Sequence, residues 1–174
     1  MNRKHFSLLL LIVLVISLPV FAQQPRLSPP AKASGEIGGK MISVDYSAPS
    51  MRGRKIMGDL VPFGAVWRTG ANEATTLKTD ADLMIGNLHV PAGTYTLFTI
   101  PGEKDWTLIV NKQTGQWGTR YDQTQDLGRV PMKVRAIDDP VETLLIAIEP
   151  GKDEKGALKL TWENTEATVP LMVH

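Results

Sequence analysis

The stretch Leu83-Met84-Ile85-Gly86-Asn87-Leu88-His89-Val90-Pro91-Ala92-Gly93-Thr94-Tyr95-Thr96-Leu97-Phe98-Thr99-Ile100 decides the fold class. Two short apolar runs flank Gly86-Asn87, a pair suited to the two-residue turn of a β-hairpin. Pro91-Ala92-Gly93 then breaks the chain, and threonine alternates with large apolar side chains up to Ile100. The period is two, the repeat of a pleated strand, and β-branched threonine favours that backbone.

The same period extends in both directions. Toward the N-terminus it covers residues 41–46 and 74–79. Toward the C-terminus it covers 106–110, 130–136, 141–148, 157–162 and 167–173. Pro101-Gly102, Asp139-Pro140 and Pro150-Gly151 punctuate these runs, as turn residues do. About nine short strands so separated predict an all-β domain, either a barrel or, as the expected form, an antiparallel two-sheet sandwich of jelly-roll type. The one candidate for a short helix is residues 52–60.

The ends define an export pattern. Arg3 and Lys4 precede an unbroken apolar run over residues 8–16, and Val20-Phe21-Ala22 supplies a cleavage site. That is a signal peptide over residues 1–22, shorter than the roughly 20 apolar residues of a membrane span. Residues 23–33, with Pro25, Pro29 and Pro30, predict an extended tether before a single domain at 34–174. The expected location is periplasmic or extracellular, with no membrane association after cleavage.

Composition removes much chemistry. There is no cysteine, so disulfides, thiolate metal sites and thiol nucleophiles are excluded. Only His89 and His174 follow the signal segment, which is too few for a multi-histidine metal centre. The formal net charge is +1, and a near-neutral domain has no general attraction for nucleic acid. Phosphate-loop, dinucleotide and Gly-x-Ser-x-Gly signatures are absent. No cofactor or metal is expected, and oxygen-ligated calcium at Asp122, Asp126, Asp138 and Asp139 lacks the spacing of an EF-hand loop. His89 reads as an ordinary solvated or packed strand residue.

Two long stretches resist the strand reading, residues 49–74 and 112–129. Long loops in a compact domain tend to be functional or disordered, and the tryptophans and tyrosine within these argue for order. They carry the motifs Pro49-Ser50-x-x-Gly53-Arg54-Lys55-Ile56, Leu60-Val61-Pro62-Phe63-Gly64, Val66-Trp67-Arg68-Thr69-Gly70-Ala71-Asn72-Glu73-Ala74-Thr75 and Gln116-Trp117-Gly118. With Pro91-Ala92-Gly93-Thr94-Tyr95, these motifs make the chain from about Ser28 to Val173 resemble a family of exported bacterial proteins, domain of unknown function 2911. The resemblance implies an exported β-rich domain and no particular reaction. Phe63 stands where that family is expected to carry a tyrosine.

Arg54, Arg68, Asn72 and Glu73 form the first candidate group. Guanidinium forks suit carboxylates, phosphates or sugar hydroxyls, while asparagine and glutamate add acceptors. The alternative is an internal ion pair between Arg68 and Glu73 that only fastens a loop. Trp117 and Tyr121 are candidates for a stacking platform against a sugar ring or other flat ligand, or else for a plug at the end of the fold. Trp67, Trp106 and Trp162 read as core. A small-ligand or glycan binding module is therefore the leading expectation. A saccharide hydrolase or lyase using Glu73 with a second carboxylate (Asp45, Asp122 or Asp126) and a purely structural role are its alternatives.

Overall fold

The computed structural model describes residues 26–174; the expected signal segment falls outside the described residues. Nine strands occur in chain order: β1 Pro30–Ile37, β2 Lys40–Ser47, β3 Thr76–Thr79, β4 Leu83–Ile85, β5 Leu88–Val90, β6 Gly93–Ile100, β7 Asp105–Asn111, β8 Asp126–Pro150 and β9 Lys155–Val173. All pairings are antiparallel, in the order β1-β2-β3-β6-β7-β8-β9-β4-β5. The expected two-sheet sandwich is not what forms: the nine strands make one continuous open sheet.

The reason lies in β8 and β9. Runs 130–136 and 141–148 were expected as separate strands, as were 157–162 and 167–173. Each pair instead joins into one long strand. Asp139-Pro140 produces a shift in register between Ala136 and Val141 without ending β8. A bulge of this kind bends a strand and increases its twist.

The bend lets one sheet enclose its own core. The chain following β2 runs alongside the second half of β8. There the Met51 amide donates to the Glu142 carbonyl and the Leu144 amide to the Pro49 carbonyl (2.8 and 2.9 Å). Tyr46 of β2 accepts from the Ile146 amide at 3.1 Å. Gly35 of β1 lies so close to Ile148 that a methyl group there would sit 2.8 Å from its Cγ2 atom. Val44, Leu77, Leu97, Leu108, Ile146, Leu160 and Trp162 all bury into this one cluster.

Strand β6 is buried on both faces. Leu97 and its partner Val110 belong to the main core, whereas the neighbouring pair Phe98 and Ile109 is buried outside it. The cover over Phe98 includes Tyr121, whose ring meets it edge to face at 4.8 Å. The second long loop thus closes the far side of the sheet.

Residues 52–60 form no helix. Among the described residues the helical structure is one 3-10 turn, Gln123–Gln125. Arg52, Gly53 and Gly58 take positive φ (52°, 72° and 80°), which interrupts a right-handed helix. The Glu163 carboxylate of β9 then takes the amides of Ile56 and Met57 at 3.1 and 2.9 Å. Strand β1 begins inside the stretch expected as tether, with Pro30 opposite Ser47.

Candidate functional site

The two long loops meet. The Gly118 amide donates to the Asn72 carbonyl at 2.9 Å and the Ala74 amide to the Gln116 carbonyl at 3.1 Å. Glu73 and Trp117 face each other across this short antiparallel bridge. Trp67 is likewise laid against β6, exchanging both backbone bonds with Thr99 at 2.7 and 2.9 Å.

Between these anchors the chain takes an unusual path. Thr69 and Asn72 have φ of 54° and 56°. Asparagine tolerates that region, but a β-branched threonine does so only when its surroundings impose it. Here they do, for Thr69 is fully buried. Its carbonyl accepts from the Thr75 hydroxyl at 2.9 Å, and Ala71 donates to the Ser47 carbonyl at 3.2 Å. Non-glycine residues in such conformations cost of order 1–3 kcal/mol and concentrate at functional sites.

The path brings Trp67 and Arg68 to a cleft of about 440 Å³. Val61, Trp67, Phe98 and Trp162 provide its apolar lining, and Ser28, Arg54, Arg68, Thr119 and Tyr121 its polar lining. Trp67 stacks on Trp162 with 5.8 Å between centroids and 19° between planes, and meets Trp106 edge-on at 6.3 Å. Trp162 is buried and donates its Nε1–H to the Glu142 carbonyl at 3.1 Å.

The two arginines are held differently. Arg54 donates from Nε to the Met51 carbonyl (2.9 Å) and from Nη2 to the Ser50 carbonyl (2.8 Å), which fixes its plane. Arg68 is half-buried and packs its Cδ against Gly118, where a Cβ would sit 2.7 Å away. It makes one long bond, Nε to the Gly70 carbonyl at 3.3 Å. Its terminal nitrogens have no partner among the described residues.

Tyr121 donates to Asp126 at 2.7 Å and accepts from Arg129 at 2.9 Å. Burial, followed by the neighbouring Asp126 carboxylate, raises its phenol above the ordinary value. It remains a neutral hydroxyl at physiological pH.

Of the six expected site residues, Arg54, Arg68 and Tyr121 line the cleft. Asn72 stands behind it, with its carbonyl on Gly118 and its amide donating to the Ser28 carbonyl at 3.2 Å. Trp117 is exposed and is not among the lining residues. Glu73 lines a separate groove of about 450 Å³ beside β1 and β2, together with Asp45.

Glu73 does not pair with Arg68. Its carboxylate takes both bonds from Arg26, at 2.7 and 2.9 Å. Its own backbone amide, then Arg26, holds its pKa below the usual value. Asp45 is likewise lowered, by Lys78 first and then Lys32. A glycosidase acid needs a raised pKa, so neither carboxylate of this groove is suited to that role.

Phe98, Thr119 and the tryptophan pair were not expected at the site. The period-two alternation of β6 sets Phe98 opposite Leu97, which signals a second covered face. Trp162 could not be separated from ordinary core by sequence.

Among the described residues no group of three or more histidine, aspartate or glutamate side chains is arranged to hold a metal. His89 is exposed on β5, 3.2 Å from Asp82. Comparison with curated proteins and with solved structures finds no match. A family model described as a protein of unknown function (DUF2911) matches residues 28–171, and the chain belongs to that family.

Proposed function

We propose that this chain is an exported, non-enzymatic binding module whose cleft receives a small ring-bearing ligand. The observation that carries the reading is the backbone bridge between Asn72–Ala74 and Gln116–Gly118. It joins two loops distant in sequence beside a cleft that combines stacked indoles with arginine donors. Small-molecule sites are typically apolar concavities of roughly 300–1,000 Å³ with a few placed polar groups. Export is supported by the basic, apolar and small-residue segments of residues 1–22.

The test is a fragment screen against the purified protein, read by intrinsic tryptophan fluorescence and by chemical-shift mapping. Ligands should perturb Trp67 and Phe98 together. A set of confirmed ligands that all map away from these residues would refute the cleft as the site. For export, the processed chain from a periplasmic fraction should begin at Gln23, as mass spectrometry would show.

A further inference from the structure

We infer that the cleft selects an organic anion, a carboxylate carried on a six-membered ring, with the carboxylate on Arg68. This rests on reading the cleft as a ligand site and adds the chemical class it takes.

Charge is the first argument. The ionisable side chains of the lining are Arg54, Arg68 and Tyr121, and no carboxylate is among them. Elsewhere Arg26, Arg129 and Arg135 each meet an acid, Glu73, Asp126 and Glu166 respectively. Arg68 is half-buried beside aromatic rings and meets none among the described residues. A half-buried guanidinium that lines a cleft without a counter-ion attracts an entering anion, and the partly apolar walls strengthen that attraction.

Hydrogen-bond polarity is the second. A guanidinium donates and cannot accept. A neutral sugar brings hydroxyls that need both donors and acceptors. The Tyr121 oxygen is already engaged in both directions, so the hydroxyls of Ser28 and Thr119 are the main side-chain acceptors left. A carboxylate offers two acceptors in one plane, which the arginine fork matches. Arg54 is already oriented by the Ser50 and Met51 carbonyls and adds a second positive charge.

Shape is the third. The half-buried Trp67 lines the cleft, Phe98 lies beneath Tyr121, and the exposed Leu60 and Val66 extend the apolar lining. Aromatic acids and acidic sugars both pair such a face with a carboxylate.

The experiment is calorimetric titration of the purified protein with benzoate and glucuronate, each against a neutral counterpart, benzamide and methyl glucoside. At least one acid should bind, and at least tenfold more tightly than its counterpart. Its affinity should fall with added salt, and the acid that binds identifies the source. Arg68→Met should abolish the preference and Arg68→Lys should retain part of it, while Trp117→Ala, outside the cleft, should bind as the parent does. Neutral compounds binding as well as the acids, with Arg68→Met unaffected, would overturn the anion assignment and leave the cleft reading intact. Binding by none of the four up to about 10 mM, well above a millimolar dissociation constant, would overturn both.

Discussion

Glu73 is joined to Arg26 and not to Arg68, although Arg68 lies five positions away and Arg26 forty-seven. This separates two charges that sequence proximity puts together. The acid fastens the N-terminal segment, and the base is left to the cleft. Glu73→Gln should leave the melting temperature nearly unchanged, since an exposed ion pair contributes little. It should also leave ligand binding in the cleft intact. Loss of binding would show that the acid acts on the cleft after all.

Gly118→Ala tests the loop junction. The added methyl would lie 2.7 Å from Arg68 Cδ and 2.8 Å from the Asn72 carbonyl oxygen. One of those contacts is backbone, so the bridge must shift. Overpacking of this kind costs about 1–3 kcal/mol. Chemical denaturation should show that loss together with weakened binding.

Trp162→Ala removes a buried indole and one of the two donors to the Glu142 carbonyl, leaving the Met51 amide as the other. Such truncations cost about 3–5 kcal/mol. Trp67→Ala should cost less, because Trp67 is half-buried. Either change should abolish any circular-dichroism couplet arising from the stacked pair, whereas Trp117→Ala should preserve it.

Glu166 provides a test in acid. Its carboxylate is buried and takes two bonds from Arg135, at 2.6 and 2.8 Å. That partner first, then Lys159 at 3.6 Å, lowers its pKa against the opposing effect of burial. A lowered folded-state pKa contributes stability that is full above the unfolded value, about 4.3, and is lost as pH falls through the folded one. Urea midpoints should therefore drop below about pH 4, and more steeply in the parent than in Glu166→Gln. At neutral pH the variant should be less stable by about 1 kcal/mol, a modest figure because Arg135 is largely exposed.

Much of the sheet was legible because alternation survives wherever a strand has one buried face. The turn at Gly86-Asn87 was readable for the same local reason, and Gly86 takes the φ of 58° that such turns require. Strand β1 was not legible. Of its eight residues only Ala33 and Ile37 are buried, so no apolar period appears, and the prolines before it imitate a tether. Its turn, Gly38-Gly39, with φ of 56° and 73°, was the missed signal. The fusion of the C-terminal runs depends on a bulge, which Asp139-Pro140 does not distinguish from a turn. Arg54, Arg68 and Tyr121 could be found because polar and aromatic residues in long loops invite a site. The partner of Glu73 and the indole stacked on Trp67 come from distant parts of the chain, and no local pattern encodes them.

The shift in register after Ala136 does more than curve one strand. Residues just beyond it, Glu142 and Leu144, hold the segment at Pro49 and Met51 that leads to Arg54. The strand that carries the register shift therefore also anchors one wall of the cleft. A relative with a shorter or longer insertion between Ala136 and Val141 would have a mouth of different width around the same arginines, and with it a different upper limit on guest size.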